Sequence, residues 1–131
     1  MQADFDNSGM QVCLEEDEVR GVLLCVDVTP AVIDEAAAKG ANMVISHHPV
    51  LFNPVKKIVA GGIVSDVVFK AAAARVIINS AHTNLDFVIC GRNDIIAGAL
   101  GLDGGIEREG EGEYKRKTPG GGTLTFGELA G

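Results

Sequence analysis

The chain has 131 residues, enough for one domain with a buried core, and its 47% hydrophobic and 22% charged residues are typical of a soluble globular protein. The net charge of -7 and the absence of Trp argue against nucleic acid as a partner. No apolar run approaches the roughly 18 residues of a membrane-spanning helix, so no membrane contact is expected. The three cysteines are widely spaced and the N-terminus lacks the pattern of a signal peptide, which predicts a cytoplasmic protein without disulfides.

The first predicted elements are a strand, a helix and a second strand. The sequence GVLLCVDVT, residues 21–29, is almost continuously apolar, which is typical of a strand buried on both faces. Thr29, followed by a proline, is typical of a helix cap, and Gly40 marks the end of that helix. NMVIS at residues 42–46 predicts the next strand. Residues 1–18 are polar and show no such pattern.

The alternation of strands and helices then continues. Residues 61–74 have helical composition, residues 75–81 predict a third buried strand, and residues 91–101 predict a third helix. This order predicts an α/β fold with three layers, in which a mainly parallel or mixed sheet has helices on both faces. We assign residues 1–105 to this lobe. The Gly-rich residues 106–131 are interpreted as a crossover or tail that begins a second lobe.

All three histidines of the chain follow predicted strands. His47 and His48 come directly after the second strand, and His82 follows the third. Because the carboxyl ends of parallel strands meet at one edge of a sheet, these side chains are expected to lie close together. Two imidazoles and the Asp86 carboxylate form a suitable ligand set for Zn, Mn, Fe, Co or Ni. His82 could be a further ligand, orient a water, or act in acid–base chemistry.

Several other polar residues are candidates to orient the ligands or to contact a substrate, and these are His82, Asn84, Asp27 and Asn7. Most of these positions have a structural alternative. Asp86 could be a turn residue, and Asp27 could cap the following helix. Asn7 could belong to a solvated N-terminal arm. No residue is assigned a catalytic role at this point.

Four stretches of the sequence together resemble the Nif-three-like dinuclear-metal family, whose members are often labelled GTP cyclohydrolase I type 2 homologues. They are DNSGMQV (6–12), VDVTPAVIDEAAAKGANMVISHHPVLF (26–52), SAHTNLD (80–86) and GRNDIIAGALGL (91–102). The resemblance covers most of the chain. It implies a hexamer of two-lobed α/β subunits with a centre of up to two metal ions.

The same resemblance implies that His47, His48 and Asp86 are metal ligands and that His82 lies near them. The remaining ligands of the family are a His and a Glu about four residues apart, far downstream. This chain has no histidine after His82, and no glutamate of its tail can be assigned to the missing role. We therefore expect a truncated form with an incomplete site, or a site that another chain completes.

Three functions are consistent with these observations. The first is a metal-dependent hydrolase that acts on a nucleotide-like or other small substrate, since two metal ions that hold a hydroxide suit hydrolysis. The second is a non-catalytic metal-binding or regulatory protein, which the missing ligands favour. The third is a structural fragment whose histidines bind nothing. Self-association is expected in each case, because the surface against which the second lobe packs would be exposed.

Overall fold

The computed structural model describes residues 2–14, 18–86, 88, 91–99, 106–108, 114–117 and 123–126. The chain divides into two compact units, the first spanning Gln2–Thr83 and the second beginning at Asn84. The elements of the first unit are, in chain order, β1 (Gly9–Val12), β2 (Val22–Cys25), α1 (Pro30–Ala38), β3 (Met43–Ser46), α2 (Ile63–Ala74) and β4 (Ile77–Ser80).

The four strands of the first unit form one mixed sheet in the order β1-β4-β3-β2. β2, β3 and β4 are parallel, and β1 is antiparallel to β4. Ser46 pairs with Ser80 at the last position of β3 and β4, so both strands end at the same level. Because β1 runs in the opposite direction, its first residue, Gly9, also pairs with Ser80. The N-terminal segment therefore enters the sheet at the edge where the parallel strands end.

Local sequence determines both ends of α1. Thr29 is its N-cap, with an extended backbone and a side chain that accepts a hydrogen bond from the Val32 N–H at 3.3 Å, and proline occupies the first helical position. At the other end Gly40 has a φ of +71°, which a residue with a side chain rarely adopts. Both predicted signals are confirmed, and α1 ends in time for the chain to enter β3.

The core lies between one face of this sheet and the two helices. Its buried residues are Val28, Ile33, Ala36, Ala41, Val44, Val67, Ala71, Val76 and Ile78. Because strand residues alternate between the two faces, Val44 and Ile78 point toward α1 and α2, whereas their neighbours point away. The predicted α/β class with a mixed sheet is confirmed. In the first unit both helices contribute to the same core, and thus lie on the same face of the sheet.

One expectation and one open alternative about the first unit are wrong. β2 is not buried on both faces: it is an edge strand, and the side chain of Leu24 is 73% exposed. An uninterrupted apolar run looks the same in an edge strand as in a central one. The polar N-terminal stretch is also not simply a solvated arm, because Gly9–Val12 forms β1 and Asp6 is buried.

The second unit contains helices and a separate sheet. The short helix α3 (Thr83–Asp86) runs across the boundary in sequence, and α4 (Arg92–Ala99) corresponds to the predicted third helix. The strands β5 (Ile106–Arg108), β6 (Tyr114–Lys117) and β7 (Thr123–Phe126) form an antiparallel sheet in the order β5-β6-β7. Part of the segment interpreted as a crossover or tail is thus a three-stranded meander. The predicted domain boundary after residue 105 stays a prediction.

In the part of the chain that the structure describes, no helix has the length and apolar character that crossing a bilayer requires. The cytoplasmic location stays a prediction.

Candidate metal centre

A tight turn after β3 explains how two consecutive histidines reach the same site. The backbone N–H groups of His47 and His48 donate to Cys25 O and Val26 O at 3.1 and 2.9 Å, which continues the pairing with the chain after β2. Two buried serines hold the turn from the other side. The Ser46 hydroxyl donates to His48 O at 2.8 Å, and the Ser80 hydroxyl donates to His47 O at 2.9 Å.

The turn brings His47 and His48 together with His82, which follows β4. The ring centroids lie 5.0 Å apart for His47 and His48, 5.2 Å for His47 and His82, and 5.8 Å for His48 and His82. One ring nitrogen from each histidine lies within 4.8 Å of the other two. Two nitrogens bound to one ion at about 2.1 Å are separated by at most about 4.2 Å. The three rings are therefore close to the arrangement that a single ion requires.

Each of the three imidazoles uses its Nδ1 atom for a hydrogen bond to oxygen. His47 Nδ1 lies 2.9 Å from Ala81 O, His48 Nδ1 lies 2.7 Å from Asp27 Oδ1, and His82 Nδ1 lies 2.8 Å from Asp6 Oδ1. A carbonyl oxygen accepts only, and so does an ionised carboxylate, so each neutral ring places its proton on Nδ1. The lone pair is then on Nε2. Three imidazoles whose lone pairs are on Nε2 fit a divalent transition metal.

The buried Asp6 carboxylate accepts several hydrogen bonds at this edge. Both of its oxygens accept hydrogen bonds, from the backbone N–H groups of Asn7 and Thr83 and from the side chains of Ser8, His82 and Thr83. Burial by itself raises the pKa of the Asp6 carboxyl, but the hydrogen bonds from Ser8, Thr83, His82 and Asn7 outweigh it and hold that pKa well below its usual value. Asp6 is therefore ionised beside the histidines.

The segment that follows the histidine turn forms the rim of the site. The Phe52 ring meets the His82 ring edge-on with centroids 6.0 Å apart, and Phe52 is 43% exposed. The start of this segment is fixed by Asn7, whose amide donates to Leu51 O at 2.9 Å, and by Gln11, whose side chain accepts from the Leu51 N–H at 3.1 Å. The residues before and in β1 thus support one wall of the site.

The structure gives most of the predicted site residues a specific position. His47, His48 and His82 form one cluster, and Asp27 bonds His48, whereas Thr29 caps α1. Asn7 supports the rim and does not contact the histidines in any described bond. The interpretation of Asp27 as the helix cap is therefore wrong.

Asp86 and Asn84 belong to the second unit. The Asp86 carboxylate is buried and ion-paired with Arg92, with Oδ1 and Nε 2.8 Å apart. Among the described residues, the buried Oδ1 of Asn84 has no hydrogen-bond partner. The role of Asp86 as a metal ligand stays a prediction, and so does the role of Asn84.

Sequence reasoning missed Asp6 as part of the site. The sequence Asp-Asn-Ser-Gly is typical of a turn in which the first side chain bonds the backbone that follows, and the Asn7 N–H does donate to Asp6 at 2.7 Å. That signal indicates a turn. It does not indicate that the turn packs against His82, which is 76 residues away along the chain.

The fold and the site together define a class of protein. A mixed α/β sheet carries a cluster of three histidines at the carboxyl edge of its parallel strands, with each ring oriented by an oxygen acceptor. The sequence matches the family Duf34/NIF3 (NGG1p interacting factor 3) over residues 1–126, and the chain belongs to this family. The resemblance recognised in the sequence is thus confirmed.

The curated relatives carry one shared name, GTP cyclohydrolase 1 type 2 homolog. The relative from Clostridium acetobutylicum is 40% identical over 103 residues, which cover 79% of this chain and 38% of the relative. The relative from Halalkalibacterium halodurans is 38% identical over 102 residues, which cover 78% of this chain and 27% of the relative. The chain therefore spans well under half of the length of these relatives.

Solved structures show the same fold. A Bacillus cereus protein related to NIF3 superposes with a TM-score of 0.76 at 37% identity, covering 86% of this chain and 31% of that protein. Reduced HcgD from Methanocaldococcus jannaschii superposes with a TM-score of 0.75 at 26% identity, covering 87% of this chain and 46% of that protein.

Proposed function

We propose that this chain binds a divalent transition metal through the Nε2 atoms of His47, His48 and His82. The observation that carries the proposal is the set of three Nδ1 hydrogen bonds to oxygen, because it leaves three lone pairs on rings whose nitrogens lie within 4.8 Å. Histidine ligands suit Zn, Mn, Fe, Co or Ni. The metal identity follows from which of these ions the purified chain retains.

The activity that such a site supports best is metal-dependent hydrolysis of a small substrate. A bound divalent ion acts as a Lewis acid and lowers the pKa of a water ligand. The chain itself supplies access and orientation: the His48 side chain is 50% exposed, and the exposed Phe52 ring offers an apolar surface beside His82. The name of the curated relatives supports a nucleotide-like substrate. A second metal, as the family resemblance implies, would require ligands beyond the three histidines.

The direct test is metal analysis of the full chain without a histidine tag, followed by isothermal titration with Zn²⁺, Mn²⁺, Fe²⁺, Co²⁺ and Ni²⁺. We expect about one ion per chain for three histidine ligands. A panel of nucleotides and phosphoesters with the metal-loaded and metal-free protein then tests hydrolysis. A chain that binds none of the five ions contradicts the proposal.

A non-catalytic metal-binding module is the second candidate. One observation favours it: all three histidines of this chain are already in the cluster, so the chain has no further histidine for a second ion. Metal binding without turnover on any substrate of the panel would select this alternative.

We also propose Asp86 as a further ligand, supported by the family resemblance. Asp86→Asn is then expected to weaken zinc binding by about 10-fold or more, because it removes a charged ligand. Arg92→Gln is the matched control, since it breaks the same ion pair and keeps the Asp86 carboxylate. Isothermal titration of both variants gives the comparison. Equal zinc affinities in the two variants would show that Asp86 is structural.

Self-association into a homo-oligomer, a hexamer in the family that the sequence resembles, is proposed on the basis of one sheet face. The sheet face opposite the core carries six apolar side chains, Met10, Val22, Leu24, Met43, Ile45 and Ile77, of which Ile77 is buried. Leu24 is 73% exposed, Met10 54% and Val22 46%. Exposed apolar side chains on one sheet face are typical of an interface between subunits.

Leu24→Glu is expected to shift the native oligomer toward the monomer, because it places a charge at the most exposed of these apolar side chains. The control is Val59→Glu, which adds the same charge at a residue that is 59% exposed and lies outside the sheet. Light scattering coupled to size-exclusion chromatography measures the mass. A native chain that is already monomeric, or a Leu24→Glu variant with unchanged mass, would contradict this proposal.

A further inference from the structure

The three histidines differ in what holds them. The His47 ring is bonded to a backbone carbonyl, Ala81 O. The His48 ring is bonded to Asp27, whose side chain is 68% exposed, so water competes for that carboxylate. The His82 ring is bonded to Asp6, whose side chain is 0% exposed, and the His82 side chain itself is only 20% exposed. The same type of carboxylate–imidazole hydrogen bond thus occurs twice in one site. The bond between Asp27 and His48 is exposed to water, and the bond between Asp6 and His82 is shielded from it.

Both carboxylate oxygens of Asp6 already accept hydrogen bonds, so neither is available to a metal. Its Oδ1 accepts from the Asn7 N–H at 2.7 Å and from His82 at 2.8 Å. Its Oδ2 accepts from the Ser8 hydroxyl at 2.5 Å, from the Thr83 N–H at 3.1 Å and from the Thr83 hydroxyl. The N-terminal segment is also attached through the Ala3 N–H, which donates to the Thr83 hydroxyl at 3.0 Å. Asp6 can therefore act on a metal only through His82.

We propose that Asp6 is a positioning residue that holds His82 in the tautomer that a metal ligand requires. A neutral histidine in water favours the tautomer with its proton on Nε2, the atom that a ligand must leave unprotonated. The buried Asp6 carboxylate reverses this preference by accepting a hydrogen bond from Nδ1–H, so the Nε2 lone pair points away from Asp6. Asp6 thereby connects the N-terminal segment to the metal site through His82. This inference rests on the proposed metal binding.

The two carboxylate–imidazole bonds predict unequal effects on affinity. Partners of metal-bound histidines contribute about 10- to 100-fold to metal affinity. We expect Asp6→Asn to weaken Zn²⁺ binding by about 30- to 100-fold, because an amide has one acceptor oxygen for the five donors that Asp6 satisfies. Asp27→Asn is expected to weaken it by less than about 10-fold, because solvent already competes for that bond.

The decisive measurement is the tautomer of His82 in the metal-free full chain, read from the ¹⁵N spectrum of its imidazole. With three histidines in the chain, His82→Gln assigns the signals. We expect Nδ1 protonated in the native protein and a shift toward the Nε2-protonated form in Asp6→Asn. Ser8→Ala is the matched control, because it removes another donor to Asp6 and leaves the His82 bond in place. In this control the His82 tautomer should not change.

The native spectrum decides the question even where Asp6→Asn does not fold. A native His82 that carries its proton on Nε2 overturns the proposal. So does an Asp6→Asn variant that is folded and keeps both the native tautomer and a zinc affinity within about 3-fold of native, well short of the expected loss. The proposed function fails separately, through the absence of zinc binding by the native chain, whereas the tautomer is read without metal and still decides the role of Asp6.

Discussion

His48→Ala is expected to raise the Kd for zinc by at least about 100-fold, more than the loss of a residue that only supports a ligand. The substitution removes one of three imidazoles from a cluster in which every ring is already oriented. Because the His48 side chain is 50% exposed, its removal leaves no buried cavity. The metal-free variant should therefore unfold at nearly the native temperature. Isothermal titration measures the affinity, and thermal unfolding measures the stability.

A second readout of the same variant is stabilisation by metal. Zinc at about 100 times its Kd stabilises a native protein by about 2.7 kcal/mol when it does not bind the unfolded chain. We expect this stabilisation in the native chain and its loss in His48→Ala. Val55→Ala is the control, since Val55 is 44% exposed and lies in the loop that follows the histidine turn. A His48→Ala variant with native affinity would exclude the histidine cluster as the metal site.

The position of the histidines could be predicted because two simple rules apply to them. Parallel strands joined by helices end at the same edge of a sheet, and residues directly after those ends lie close together. The aligned ends of β3 and β4, where Ser46 pairs with Ser80, show why this prediction holds. The same rules apply to Asp27, which follows β2 and reaches His48.

The position of Asp6 could not be predicted by the same rules. It precedes β1, a strand of four residues, GMQV, whose partner is β4, and nothing in the polar residues around it indicates that partner. Local patterns report periodicity and turns, whereas an antiparallel pairing between distant segments depends on the rest of the sheet. The sequence predicts that β2 is buried on both faces, and this is wrong for a related reason. An apolar run does not indicate whether a strand has one neighbour or two.

Ile33→Ala is expected to destabilise the first unit by about 2 to 5 kcal/mol, because it leaves a cavity in a packed core. Ile33 lies in α1, is 1% exposed and belongs to the same cluster as Val44 and Ile78, which lie in the two strands that carry the histidines. Ile63→Ala provides a matched control in α2. Ile63 is 72% exposed, so the same truncation should change the free energy of unfolding by less than about 0.5 kcal/mol.

Together, Ile33→Ala and His48→Ala separate folding from metal chemistry. At a temperature where it is still folded, Ile33→Ala should bind zinc with native stoichiometry, because no ligand or ligand partner is altered. His48→Ala should show native stability without metal and zinc binding weakened by at least about 100-fold. Urea unfolding with and without zinc gives both quantities for each variant. Loss of zinc binding in folded Ile33→Ala would mean that the aligned strand ends depend on core packing more closely than the hydrogen bonds of Ser46 and Ser80 imply.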